Sequence, residues 1–226
     1  MIESVAVVVP AHDEEELLPA CLTALRLASE PLDPVPVRLV VVADACADAT
    51  AGLARRAGAD VVEIKARNVG AARASGFSAV LSGIRPADLA TMWLASTDAD
   101  TLVAPDWLLR QVRLAQQGWD AVVGTVMVSD WSAHPAHVRE LFTASYRPGP
   151  GPHPHVHGAN LGMTADAYLA AGGFRELRTA EDHALVASLA AAGRRILRTS
   201  DVTVATSARR QARAPHGFSH LLATLA

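Results

Sequence analysis

The chain has 226 residues, half of them hydrophobic, and a formal net charge of −3. That length supports one large core, and a near-neutral charge removes any general electrostatic drive towards nucleic acid or an anionic membrane surface. With only Cys21 and Cys46, a disulfide framework is excluded, and the two read as free thiols of a reducing compartment.

No basic leader precedes the first apolar run, and no run approaches the roughly 20 residues of a membrane-spanning helix. The expectation is a cytoplasmic protein without an integral membrane segment. Val5 to Val9 is a short, β-branched apolar run ending at Pro10, the pattern of a strand buried on both faces. Leu17, Leu18, Cys21, Leu22 and Leu25 then recur at helical spacing. Asp13 is placed to cap that helix, and Glu14 to Glu16 suit its positive end. A proline-rich loop spans Glu30 to Pro36.

The design repeats. Val37 to Val42 predicts a strand, Asp44 to Asp48 a polar turn, and Ala49 to Ala57 a helix closed by Gly58. Val61 to Ile64 predicts a third strand, and Asn68 opens a helix through Leu81. A fourth apolar segment, from Thr91, leads to Asp98 and Asp100. Pro105 is read in the first turn of a helix carrying Trp107, Leu108, Val112 and Leu114, followed by a fifth strand over Ala121 to Val128. Strands alternating with helices of this length predict right-handed βαβ units and a mainly parallel sheet.

The second half is less regular. His134 to Tyr146 is a candidate helix, and 147–155 is a Pro/Gly-rich candidate mobile loop. Helices are predicted at Ala165 to Ala171 and Glu181 to Ala192, a strand at Val202 to Val204, and a tail helix from His216. His153, His155 and His157 alternate among prolines, which does not suit tetrahedral zinc; an acceptor-facing lid is the preferred reading. Phe218, Leu221, Leu222 and Leu225 read as core packing or a homodimer contact.

Polar residues gather just beyond strand ends, at Asp13, Asp44, Asn68 and Asp98. Those carboxyl ends are where open α/β sheets bind ligands. Asp98 and Asp100 stand one residue apart where a buried strand runs out, and burying both unpaired would be too costly. At an open sheet edge they offer hard oxygens suited to Mn2+ or Mg2+, although the run taken alone reads more readily as a solvated turn than as a metal site. Asp44 can accept a hydrogen bond from a nucleobase, and His12 offers a flat face for stacking. Arg73, near a helix start rich in small residues, suits a phosphate or ribose; an exposed helix arginine is its plain alternative. The glycine spacing there is not the dinucleotide fingerprint.

VAVVVPAHDEEELLPACL, VVVADACADAT, RNVGAARASG, STDADT, GANLGMTADAYLAAGGF and EDHALVASLAAAG occur in this order along most of the chain. In that order they resemble the family 2 glycosyltransferases. The resemblance implies a GT-A fold, a Rossmann-like α/β/α sandwich with a mainly parallel central sheet. It implies one domain over 1–226, with a nucleotide-sugar-binding half (1–128) and an acceptor-binding half with the tail (129–226). The implied donor is a UDP, GDP or dTDP sugar; the acceptor is unidentified.

By the same resemblance Pro10, Ala11, His12 and Glu14 frame the base, with Asp13 standing where the family more often has asparagine. Asp44 contacts the base, and Asn68 and Arg73 line the nucleotide. Asp98 and Asp100 match the D-x-D around Ala99, Asp98 towards the ribose and Asp100 on the metal bridging the diphosphate. Gly158, Ala159, Asn160 and Glu181 match the sugar and acceptor pocket. Asp182 matches the residue that takes the acceptor proton in inverting members. The family's later Q-x-x-R-W is absent. In its place Arg209 and Arg213 offer a diphosphate clamp and His216 a third metal ligand. A retaining enzyme of the same fold and a non-catalytic nucleotide-sugar-binding protein are the competing readings.

Overall fold

The computed structural model of the chain describes residues 1–128, 130–146, 153–209 and 224. Arg213, His216 and the apolar residues Phe218, Leu221, Leu222 and Leu225 lie outside them, as does 147–152 of the Pro/Gly-rich stretch.

In chain order the elements are β1 (Ser4–Ala11), α1 (Leu18–Ser29), β2 (Val37–Asp44), α2 (Thr50–Arg56), β3 (Asp60–Ile64), α3 (Val69–Leu81) and β4 (Met92–Ser96). There follow β5 (Thr101–Leu102), α4 (Trp107–Gln116), β6 (Ala121–Val128), α5 (Ala136–Ser145), β7 (Leu161–Thr164), α6 (Ala165–Ala170), α7 (Glu181–Ala191) and β8 (Ile196–Thr206). One sheet runs β3-β2-β1-β4-β7-β6-β8-β5. It is parallel from β3 through β4 and between β6 and β8, and antiparallel where β7 and β5 join. Because β7 is inserted between β4 and β6, the sheet crosses the expected division at residue 128.

Strand alternation sends successive side chains to opposite faces. Val5, Val7 and Val9 face α1 and α4, packing with Leu18, Leu22, Leu25, Trp93 and Trp107. Ala6 and Val8 face α3, α6 and α7, packing with Phe77, Met163, Tyr168 and Leu185. Each buried leucine of α1 contributes about 1.5–3 kcal/mol relative to leaving it exposed. Glycine sets the separation on the second face: a Cβ on Gly76 would lie 2.4 Å from Val8 and 2.8 Å from Val42. Among the described residues no helix is long and apolar enough to cross a membrane. Cys21 and Cys46 are free thiols.

Several local expectations are corrected. Asp13 does not cap α1: its φ is +51°, and its carboxylate accepts instead from the Ala47 N–H at 2.7 Å. Pro105 precedes α4 rather than entering its first turn, the cap position being Asp106. β8 extends far beyond Val202 to Val204: Ile196 to Arg198 already pair with β6, and a register shift between Val123 and Thr125 admits the polar residues Thr199 to Asp201 before pairing resumes at Thr203. β5 and β7 are additional strands, too short to show a period of their own.

Candidate active site

The carboxyl ends of β1, β2, β3 and β4, the start of α7 and the chain leaving β8 meet at one edge of the sheet. Asp44, at the end of β2, is 4% exposed, and its carboxylate accepts from the backbone N–H groups of Ala66, Arg67 and Asn68 at 2.7–2.8 Å. A carboxylate has about four acceptor positions, so one on Oδ2 remains beyond its work of shaping the loop after β3. His12 Nδ1 lies 2.6 Å from the Asp44 carbonyl, on the rim of the same loop. Pro10 is half-buried and Ala11 buried beneath it.

Asn68 caps α3, accepting from the Ala71 N–H, and its Nδ2 donates to the Glu176 carbonyl at 3.0 Å. Backbone comes close to the small residues here: a Cβ on Gly70 would lie 2.3 Å from the Arg175 carbonyl oxygen.

Arg73 is 3% exposed rather than a surface residue. Its Nε donates to Ser96 Oγ at 3.0 Å, Nη2 pairs with Asp98 at 2.5 Å, and Nη1 pairs with Glu181. Each guanidinium nitrogen thus meets an oxygen of β4, the D-x-D loop or α7. Burial pushes the Glu181 carboxyl up from its ordinary pKa, while the Arg73 charge opposes that shift. The turn 157–160 lies directly on this arginine, and a Cβ on Gly158 would come within 2.4 Å of its guanidinium carbon.

From that turn the Gly158 N–H donates to Asp182 Oδ2 at 2.8 Å, while Asp182 Oδ1 accepts from the His183 N–H. Asp182 is half-buried and follows Ala180, whose φ is +58°. Ala159 is buried. Asn160, expected in the sugar pocket, turns inward with 1% exposure. Its oxygen accepts from Trp107 Nε1, and its amide donates to the carbonyls of Thr125 and Val202, tying β6 to β8.

Asp100 is held from the other side. Arg209 makes a two-pronged contact with Glu14 (3.0 and 2.7 Å) and reaches Asp100 Oδ2 at 2.7 Å. Burial, reinforced by Asp98 and Glu14 and opposed by Arg209, raises the Asp100 carboxyl to a pKa of about 6. Ala99, between the two aspartates, is 3% exposed and packs into the core.

Ser96, Tyr146 and Arg198 also join this region, with no local sequence signal for the contacts they make. Tyr146 accepts from the Val126 N–H, its hydroxyl lies 2.7 Å from His157 Nε2, and its ring stacks on His155 with centroids 4.0 Å apart. Arg198 donates to the carbonyls of His153, Pro154 and His155. Burial lowers the His157 pKa to about 4 and raises that of Tyr146 to about 12. The alternation of the three histidines is the signal that places them on one face.

The profile of "Glycosyl transferase family 2" matches residues 6–171. The chain belongs to that family. A relative from Serratia proteamaculans (strain 568), named undecaprenyl-phosphate 4-deoxy-4-formamido-L-arabinose transferase, is 32% identical over 130 residues, 55% of this chain. That alignment spans only 37% of the relative's length.

Solved structures share the family's GT-A fold at low identity. Residues 1–349 of TarS from S. aureus superpose with a TM-score of 0.65 at 14% identity, covering 91% of this chain and 60% of that one. The mannosyltransferase PcManGT from Pyrobaculum calidifontis, solved with GDP-Man and Mn2+, gives 0.65 at 21%, covering 97% and 68%. Glucosyl-3-phosphoglycerate synthase from Mycobacterium tuberculosis, with Mn2+, UDP and glucosyl-3-phosphoglycerate, gives 0.58 at 16%, covering 92% and 73%.

The donor set here fits a hard divalent cation. Asp98 and Asp100 provide carboxylate oxygens at an open edge, and Asp100 already holds a cationic group in Arg209. Two carboxylates with phosphate oxygens and water completing the shell is the habit of Mg2+ and similar ions. Among the described residues, Asp13, Cys46 and Asp48 form a tighter cluster of potential ligands. Those groups are engaged in fastening the β1 and β2 loops together: Asp48 accepts from the Glu15 and Thr50 N–H groups, and Cys46 Sγ from the Asp13 N–H.

Proposed function

We infer that the chain transfers a single sugar from a nucleoside-diphosphate sugar to an acceptor hydroxyl, with inversion at the anomeric carbon. The observation that carries this reading is the chain of contacts Asp98–Arg73–Glu181, with Asp182 next in sequence, which brings a D-x-D and a separate carboxylate to one sheet edge.

The loops after β1 and β3, shaped by Asp44, receive the base and ribose. Asp100, with Asp98 beside it, would hold Mn2+ or Mg2+, whose chemistry there is Lewis-acid stabilisation of the departing diphosphate. Asp182 takes the proton of the acceptor O–H as that oxygen forms its bond to the anomeric carbon and the bond to the diphosphate oxygen breaks. The Gly158 N–H holds one oxygen of Asp182 and the His183 N–H the other, and each oxygen keeps an acceptor position for the O–H of the acceptor. Arg209, released from Asp100, would offer its charge to the diphosphate. The mannosyltransferase and synthase structures with Mn2+ support the choice of ion.

The test is thermal unfolding with UDP, GDP or dTDP, with and without Mn2+, followed by transfer assays with sugars of the base that stabilises. Ligand at 100 times its Kd adds about 2.7 kcal/mol to apparent stability. Asp182→Asn should abolish transfer while leaving nucleotide binding intact. NMR of the anomeric proton in the first product reads inversion directly, and retention would remove Asp182 from the role of base.

A further inference from the structure

We propose that Arg209 is an internal cation that occupies the ion position at Asp100, and that Glu14 is the latch that keeps it there. This rests on the reading of Asp100 as a metal ligand. Glu14 comes from the loop after β1, and Asp100 lies between β4 and β5; their side chains are 6% and 11% exposed. Two nearly buried carboxylates facing one gap require a cation. Arg73 cannot serve, because its three nitrogens are committed to Ser96, Asp98 and Glu181. Arg209 fills the gap with a fork on Glu14 and its Nη2 on Asp100 Oδ2.

Its delivery is built into the sheet. Thr101 pairs with Thr206 and Leu102 with Ala205, the Thr101 and Thr206 hydroxyls meet at 3.1 Å, and the Ser207 N–H donates to the Asp100 carbonyl at 3.2 Å. The strand therefore ends on the D-x-D, with Arg209 one side chain away from it. A divalent ion at Asp100 would compete with this guanidinium for the one carboxylate, so ion binding would weaken the Arg209–Asp100 contact. A nucleoside diphosphate gives the displaced arginine new anionic partners, so ion and nucleotide assist one another's binding, reciprocally.

The test titrates Mn2+ into the full chain, read by electron paramagnetic resonance or calorimetry, for wild type, Arg209→Lys and Arg209→Gln, without nucleotide and with UDP or GDP. Arg209→Gln should bind Mn2+ more tightly on any electrostatic account. Arg209→Lys decides, since it keeps the charge and loses the fork. Without nucleotide its Mn2+ affinity should rise about tenfold, the scale of a charged hydrogen-bond pair. The gain in Mn2+ affinity that UDP or GDP confers should shrink correspondingly. Wild-type Mn2+ affinity in Arg209→Lys overturns this proposal and leaves the transferase reading standing. Absence of Mn2+ binding in all three proteins, with or without nucleotide, overturns the metal reading and this proposal together.

Discussion

Arg73 and Arg209 divide the D-x-D between them, and they are placed very differently. Arg73 rises from the body of α3, is 3% exposed, and bridges Asp98 to the buried Glu181. Arg209 stands beyond the last residue of β8, is 23% exposed, and bridges Asp100 to Glu14. One ion pair is part of the frame on which α3, β4 and α7 are assembled. The other spans a gap that the frame leaves open. On the proposed reading, in which the site holds its acceptor base rigidly and still admits an ion, both kinds are needed.

The largest effect should come from breaking the frame. Arg73→Met leaves Glu181 buried without its cation, and thermal or urea unfolding should show a loss of about 3–5 kcal/mol. Adding Glu181→Gln should recover part of that loss, which a double-mutant cycle would read as coupling. A loss as small as that of an exposed ion pair would erase the distinction between the two arginines.

Gly158→Ala probes the same frame from above. Its Cβ would meet the Arg73 guanidinium at 2.4 Å, so unfolding should show a loss of about 1–3 kcal/mol from overpacking. The Gly158 N–H would also be drawn away from Asp182, and transfer should fall further than nucleotide binding.

His157, next to Gly158, adds a pH signature. Its folded pKa of about 4 lies below its ordinary 6.5, so the folded state takes up its proton less readily than the unfolded chain. Its contribution is therefore complete above pH 6.5 and is lost as pH falls towards 4. Discounted for its partial exposure, that is about 1 kcal/mol between pH 7 and 5. His157→Gln should flatten that part of a stability–pH curve measured by urea unfolding.

Arg209→Gln should cost less than Arg73→Met, about 1 kcal/mol: Glu14 and Asp100 are nearly buried, but Arg209 is 23% exposed and the glutamine amide keeps a donor for one of them. Mn2+ should raise the unfolding temperature of this variant more than that of wild type, sharpening the contrast with Arg73.

The parts of this arrangement that could be read in the sequence are those with local signals. The valine runs of β1 and β2 announce buried strands, Asn68 announces the start of α3, and Asp98 with Asp100 marks the strand end of β4. β7 has no such signal, since Leu161 to Thr164 becomes a strand only through the neighbours it pairs with. Asp44 is legible as a polar residue at the sheet edge, but its partners are backbone N–H groups, which carry no identity in sequence. Arg73 sits among small residues on a helix, where an exposed arginine is the ordinary expectation; its burial depends on Glu181, 108 positions away. Glu14 and Arg209 are separated by 195 positions, and their meeting follows from the topology of β8.

The two-residue strand β5 has a mechanical role out of proportion to its length. Its register on β8 makes the D-x-D loop and the chain's exit from the sheet one solid piece. Any polypeptide continuing past residue 209 is paid out from a fixed port beside Asp100. The pairing thus fixes Ser207 to Arg209 against the D-x-D loop, so that two residues of strand settle where a charge is delivered.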